Sequence, residues 1–213
     1  PNNPTGAVIP PETLSAIVNI CHRGRIHFVV DESFIEFTSQ PSLARRASEH
    51  GHLIVLRSFT KFFAFPGLRL GYLVAHPSLV EEFSRQQEPW SVNTLAVIAA
   101  AESLVDSTFR EKSLKLIARE RRYLAAGLTA FGWLDPYPTE ANFLLVRIQH
   151  PAIRATGLRR KLEAMRILIR DCTDFRGLGE KYIRVAVRSR KENRFLLEAL
   201  RQVENTLADQ RRA

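Results

Sequence analysis

Apolar and polar positions alternate along the first half of the chain in blocks of two kinds. PPETLSAIVNICHRG (residues 10–24) spaces its apolar residues at helical period, with proline in the first turn and Gly24 at the end, which predicts an amphipathic helix. IHFVVDES (26–33) opens as a short β-branched apolar run and closes on an acid, the pattern of a buried parallel strand. SLARRASEHG (42–51) predicts a second helix, LIVLRS (53–58) a second buried strand, and GLRLGYLVAH (67–76) a third strand bounded by Gly67 and Pro77. Helix and strand in alternation predict an α/β layer architecture.

The second half has another rhythm. Residues 91–131 are almost continuously helix-compatible, with one break near 103–107. WLDPYPTE (133–140) reads as loop, ANFLLVRI (141–148) as strand and GLRRKLEAMR (157–166) as helix. ILIRD (167–171) and YIRVAVR (182–188) are further short strands, and ENRFLLEALRQVENTL (192–207) is a closing helix. The sparser strands predict a smaller α+β domain, so the expected organisation is one domain over 1–103 and a second over 104–213. No internal repeat, low-complexity tract or flexible linker interrupts them.

Composition narrows the function classes. With 213 residues and 45% hydrophobic content the chain can bury one sizeable core or two small ones. Every apolar run is interrupted well short of a membrane span, so no membrane partner is expected. The net charge of +9 raises nucleic acid as a partner. The basic residues are scattered, however, and Arg23, Arg25, Arg119, Arg121, Arg122, Arg211 and Arg212 read as solvated helix faces and ends. No aromatic-interleaved basic stripe accompanies them, which argues against nucleic acid and for a small anionic ligand. Cys21 and Cys172 sit in no paired-ligand spacing and read as two buried thiols. His50 and His52 flank a glycine without a third ligand nearby in sequence, so no metal is expected.

In open α/β sheets the chemistry gathers where strands end. Three strand ends carry unusual residues: the turn PNNPTG (1–6), Asp31 after its apolar strand, and RSFTKFFAFPGLRLGY (57–72), which sets Ser58, Lys61 and Arg69 around a loop. Lys61 stands among Phe59, Phe62, Phe63, Phe65 and Pro66. That company predicts a desolvated amine of lowered pKa, nucleophilic enough to form a Schiff base. Ser58 and Arg69 supply the hydroxyl and guanidinium that a phosphate monoester wants. A Schiff-base lysine, a phosphate clamp and a buried carboxylate together describe a pyridoxal 5′-phosphate site.

The order NNPTG (2–6), DESF (31–34), SFTK (58–61) and GLRLGY (67–72) resembles the landmarks of the fold type I pyridoxal-phosphate enzymes, the class I and II aminotransferase family. The resemblance extends through ANFLLVR and YIRVAVR and covers nearly the whole chain. It implies the C-terminal part of a cofactor-binding large domain, a mostly parallel sheet with helices on both faces, followed by a small α+β domain. By position, Lys61 is implied as the Schiff-base lysine and Asp31 as partner of the pyridine nitrogen. Asn3 is implied as donor to the cofactor's phenolic oxygen, and Ser58 and Arg69 as the phosphate pair. Arg184 is implied to hold the substrate carboxylate and Arg170 to be a second substrate anchor, with Arg188 a further cation near the same anion. Many members carry tyrosine where this chain has Phe34, which leaves Asn3 as the main donor to that oxygen. Trp90, Asn93 and Asn142 stand between packing and a site role.

Within the family, DESFIEF (31–37), RQQEPWSVN (85–93) and RILIRDC (166–172) are similar to the branch that decarboxylates L-threonine O-3-phosphate to (R)-1-amino-2-propanol phosphate in cobalamin biosynthesis. The histidinol-phosphate aminotransferases share the scaffold and are the alternative activity. A non-catalytic, cofactor-binding regulatory module is the second alternative. The resemblance further implies a phosphorylated amino-acid substrate, a cytoplasmic homodimer, and a portion of the large domain ahead of Pro1, without which cofactor binding and turnover are expected to be weak.

Overall fold

A computed structural model describes residues 1–210; Arg211 and Arg212 lie outside them. The chain divides into two compact units, one comprising Val8–Ser113 and the other combining Asn2–Ala7 with the chain from Leu114 onward.

The first unit is built on a three-stranded sheet ordered β1 (Phe28–Asp31), β2 (Leu53–Ser58), β3 (Gly71–Val74). β1 and β2 run parallel, pairing Phe28 with Leu53 and Asp31 with Leu56, while β3 returns antiparallel with Gly71 opposite Ser58. The side chains of β2 alternate between two packed faces. Leu53 and Val55 meet Val18 of α1 (Pro11–Arg23) and Leu43 and Ala47 around α2 (Ala44–Glu49). Ile54 points the other way, to Ala75 and to Leu79 of α3 (Pro77–Gln86). α1 begins with Pro11 at its first position and stops at Gly24, yet the left-handed residue there is Arg25, with φ 52°. β1 was expected to be buried on both faces; Val29 is 52% exposed, so only one of its faces is packed within this chain. The third strand is shorter than expected, and α3 after it was not anticipated. The helical stretch breaks at Asp106, between α4 (Thr94–Val105) and α5 (Ser107–Thr129).

The second unit is a four-stranded antiparallel sheet, ordered β4 (Leu134–Pro136), β5 (Phe143–Ile148), β7 (Tyr182–Ala186), β6 (Arg170–Asp171). Leu124 and Leu128 of α5, Leu158 and Leu162 of α6 (Ala155–Ala164), and Leu196 and Leu200 of α7 (Arg190–Gln210) cover one face of it. Val146, Ile148, Ile183 and Val185 complete that core from the strands. WLDPYPTE was expected to be loop, but its first half forms β4. As an edge strand it tolerates Pro136, whose missing N–H deprives no neighbour of a ladder bond.

Candidate active site

Parallel pairing brings the ends of β1 and β2 to the same edge of the first sheet, and the predicted residues of that unit follow from it. Asp31 closes β1 on the exposed face, and its Oδ1 accepts a hydrogen bond from the Ser33 backbone N–H at 2.8 Å. The expectation of a buried carboxylate is corrected here. Successive strand residues face opposite ways, and in the pair Asp31–Glu32 it is Glu32 that points inward. Ser58, half-buried, ends β2, and its Oγ accepts from the Thr60 N–H at 3.1 Å.

The loop that follows is anchored by its aromatic residues. Phe59, Phe62 and Phe63 are buried, with ring centroids 5.1 Å apart for Phe59–Phe63 and 5.2 Å for both Phe62–Phe63 and Phe37–Phe62. Backbone bonds from Phe59 N–H to the Leu70 carbonyl and from Phe65 N–H to the Phe59 carbonyl close it, each 3.2 Å. These anchors turn away from Lys61, which is exposed. The desolvation expected from these neighbours is therefore corrected: within this chain the buried phenylalanines anchor the loop and leave the amine exposed. Lys61 Nζ lies 5.8 Å from the ring centroid of Phe34. Arg69 is also exposed, in the left-handed region at φ 52°, and its Nη1 donates to the Pro66 carbonyl at 3.0 Å. An amine, a carboxylate, a hydroxyl and a guanidinium thus stand on strand ends and one braced loop of a single unit. That donor set fits a phosphorylated pyridine aldehyde.

The remaining predicted residues belong to the second unit. The opening turn is closed by Gly6 N–H to the Asn2 carbonyl at 2.7 Å and by Asn2 N–H to the Ala7 carbonyl at 2.8 Å. Gly6 has φ +70°, and a Cβ there would stand 1.9 Å from Thr139 Oγ1, so the position requires glycine on both counts. The turn presents Asn3, whose Oδ1 accepts from Arg184 Nη1. Arg184 is half-buried over the Phe143 ring, 5.1 Å from its centroid. Burial, reinforced by the charge of Arg170, lowers its pKa. Among the described residues no carboxylate pairs with Arg184. Arg170 stands directly opposite it across β6 and β7, but is exposed and already bonded to Asp174 Oδ2 at 2.5 Å. Arg188 is paired with Glu192, Nε to Oε1 at 2.9 Å, and so is not an open cation.

Trp90 is 98% exposed and packs nothing within this chain. Asn93 caps α4 by accepting from the Ala96 N–H at 2.8 Å. Asn142 accepts through its backbone carbonyl from the Val187 N–H at 2.8 Å. Cys172 is buried, and burial pushes its thiol pKa up, but Cys21 is only half-buried, against expectation. The structure also gathers His22 and His27 around His50 and His52, with centroids 5.3 Å apart for His22–His50 and 5.1 Å for His27–His52. Among the described residues no three His, Cys, Asp or Glu side chains are arranged to hold a metal ion. No helix among them is long and apolar enough to cross a membrane.

Sequence reasoning missed Glu32, Glu36 and Arg57. Both carboxylates are almost fully buried, 4% and 2% exposed, and Arg57 lies between them. The signal available was an acid at the end of an apolar strand with a second four residues on, and a lone arginine inside another apolar strand.

Comparison with known proteins adds to this geometry. The family profile for Aminotransferase class I and II matches residues 1–200. The chain is 40% identical over 205 residues to the threonine-phosphate decarboxylase of Salmonella typhimurium, covering 95% of this chain and 56% of that protein. It therefore spans little more than half the length of that relative. The crystal structure of the histidinol-phosphate aminotransferase from Clostridium acetobutylicum is similar at a TM-score of 0.91 and 33% identity, over 96% of this chain and 62% of that one. The histidinol-phosphate aminotransferase from Sinorhizobium meliloti, solved in complex with pyridoxal-5′-phosphate, is similar at 0.87 and 25% identity, over 97% and 56%.

Proposed function

Because the chain belongs to the class I and II aminotransferase family and carries part of its fold type I α/β architecture, we propose that the whole protein is a pyridoxal 5′-phosphate enzyme that decarboxylates L-threonine O-3-phosphate. The observation that carries the cofactor assignment is Asp31 and Ser58 on the neighbouring ends of two parallel strands, with Lys61 and Arg69 in the loop that follows the second. The 40% identity to a threonine-phosphate decarboxylase supports the choice of reaction.

Pyridoxal phosphate, when bound, supplies an electron sink for the pair released as a bond at the substrate Cα breaks. This chain's residues have separate tasks around it. Lys61 would hold the cofactor covalently and, as a free amine, would carry the proton that Cα receives after CO2 leaves. Asp31, with Oδ1 already engaged by Ser33, offers its carboxylate to keep the pyridine nitrogen protonated. By the family resemblance, Ser58 and Arg69 would bind the cofactor phosphate, and Asn3 would donate to the phenolic oxygen, as Phe34 cannot. Arg184, half-buried and without a carboxylate partner among the described residues, takes the substrate carboxylate as a charge-assisted pair. Arg170 contributes to holding the substrate's anionic groups once it exchanges Asp174 for them. The exposed apolar side chains of α4, Leu95, Val97, Ile98, Leu104 and Val105, suit a homodimer.

Histidinol-phosphate aminotransferase is the second reading, favoured by the 0.91 TM-score to such an enzyme. The same residues would serve it, with Lys61 removing a proton from Cα instead of delivering one. The deciding assay incubates full-length protein with threonine phosphate, or with histidinol phosphate and 2-oxoglutarate. CO2 release from the former is expected. Amino transfer without CO2 release would overturn the decarboxylase reading in favour of the aminotransferase, and neither activity would leave a cofactor-binding module.

A further inference from the structure

Two of the proposed cofactor residues have an immediate chain neighbour in the buried charge network. Glu32 follows Asp31, and Arg57 precedes Ser58. Glu32 accepts from Ser42 Oγ at 2.6 Å and from the Leu43 N–H at 2.7 Å. Arg57 spreads its fork over three residues. Nε donates to Glu36 Oε1 at 3.2 Å, joined there by Nη2, while Nη1 reaches Ser42 Oγ at 3.1 Å and Glu32 Oε2 at 3.4 Å. The guanidinium also lies 5.9 Å from the ring centroid of Tyr72, its cross-strand partner on β3.

Such a cluster is a poor device for stability. Burying charges costs several kcal/mol per ion, and apolar replacements of similar volume are often neutral or better. The network is also unbalanced, since two carboxylates share one guanidinium and Glu36 Oε2 is buried with no partner. What a planar fork provides is fixed distance and angle between the groups it joins. Side chains alternate along a strand, so Glu32 and Arg57 share one face while Asp31, Leu56 and Ser58 share the other. Fixing the inner residue of each pair fixes the outer one. The backbone bond from Glu32 N–H to the Leu56 carbonyl, 2.9 Å, ties the two strand ends at that level. On the far side of β2, a Cβ on Gly71 would stand 2.8 Å from the Arg57 carbonyl oxygen, so β3 is pressed against the backbone of Arg57 itself.

We infer that Arg57, with Glu32 and Glu36, is a positioning device that sets where Asp31 and Ser58 stand relative to each other and so holds the cofactor's ring nitrogen and phosphate in register. The inference rests on the proposed cofactor site. It makes Arg57 a positioning residue, since its own side chain is turned away from the face that carries Asp31 and Ser58.

The test uses full-length protein carrying Arg57→Lys, Arg57→Met or Glu36→Gln. Each variant is measured for thermal melting without cofactor, for pyridoxal phosphate affinity by equilibrium dialysis, and for the pH midpoint of the bound cofactor's visible absorbance. Arg57→Lys keeps the charge but not the fork. It is expected to melt near wild type while binding pyridoxal phosphate about tenfold more weakly, the equivalent of one lost charge-assisted hydrogen bond. Glu36→Gln is expected to shift the visible midpoint with a smaller loss of affinity, and Arg57→Met to lose most in all three measurements. Wild-type affinity and midpoint in both Arg57→Lys and Glu36→Gln would overturn the inference, leaving a structural ion cluster. Those two variants decide the matter if Arg57→Met does not fold. Wild-type protein that takes up no pyridoxal phosphate overturns the cofactor reading, and this inference with it.

Discussion

Gly6→Ala should unseat the opening turn, and the structure gives the size of the effect. Gly6 sits at φ +70°, where an alanine costs about 1–2 kcal/mol. Its new methyl would also collide with Thr139, whose Oγ1 and Cβ lie 1.9 and 2.6 Å from the built position. Thr139 cannot swing aside freely, because its Oγ1 accepts from the Ala141 N–H at 3.0 Å. Losing that bond adds about 1 kcal/mol, for a total of about 2–3 kcal/mol. For a unit of roughly 100 residues this lowers the melting temperature by on the order of 10 °C. Calorimetry on Gly6→Ala, Thr139→Ala and the double variant measures it. The double variant should fall short of additivity by about 1 kcal/mol, since the threonine can be displaced only once. Additive losses, or a Gly6→Ala protein that melts with wild type, would refute the contact.

Three further outcomes follow from other contacts. Glu120 is fully buried, and its carboxyl is held below its ordinary value near 4.5 chiefly by Arg190, whose Nε donates at 2.8 Å, against the opposing effect of burial. A lowered folded pKa stabilises above the unfolded value and is lost as pH falls through the folded one. Melting temperature should therefore drop more steeply below about pH 4.5 in wild type than in Glu120→Gln; parallel pH profiles would exclude this role. Arg184→Lys in the full-length enzyme should raise KM for the amino-acid substrate by about 10–100-fold, since a lysine cannot present the bidentate fork; an unchanged KM would remove Arg184 from substrate binding. Asn93→Ala should cost about 1 kcal/mol in urea unfolding through loss of the α4 cap, and no shift of the midpoint would discount that cap.

The sequence carried the elements whose signals are local. The two apolar strands ending at Asp31 and Ser58 announce themselves by composition, and the break between the long helices by Asp106 and its flanking serines. α3 was hidden because its cap is His76, whose Nδ1 accepts from the Ser78 N–H, a residue type that does not advertise a helix start. β4 was hidden because proline marks loops more often than edge strands. At the site, residue identities were legible but directions were not. Five apolar neighbours around Lys61 could equally surround it or turn their backs on it, and the difference depends on Phe37 and Phe109, which contact Phe62 from elsewhere in the chain. Arg57, Glu32 and Glu36 escaped for the same reason, since their pairings span 21 to 25 residues and leave no periodic trace.

The bond between Asn3 and Arg184 joins residues 181 apart in the chain. A ribosome adding about 5–20 residues per second needs on the order of 10–40 s to travel from one to the other. Through most of that interval the opening turn is made but has nothing to close on, since its seat against Thr139, 133 residues after Gly6, comes about three quarters of the way through. α1, β1 and β2 can meanwhile assemble from residues already synthesised. Nascent chains stalled before Thr139 should thus carry an assembled first sheet beside a protease-sensitive turn, and those released beyond Ala186 should protect it.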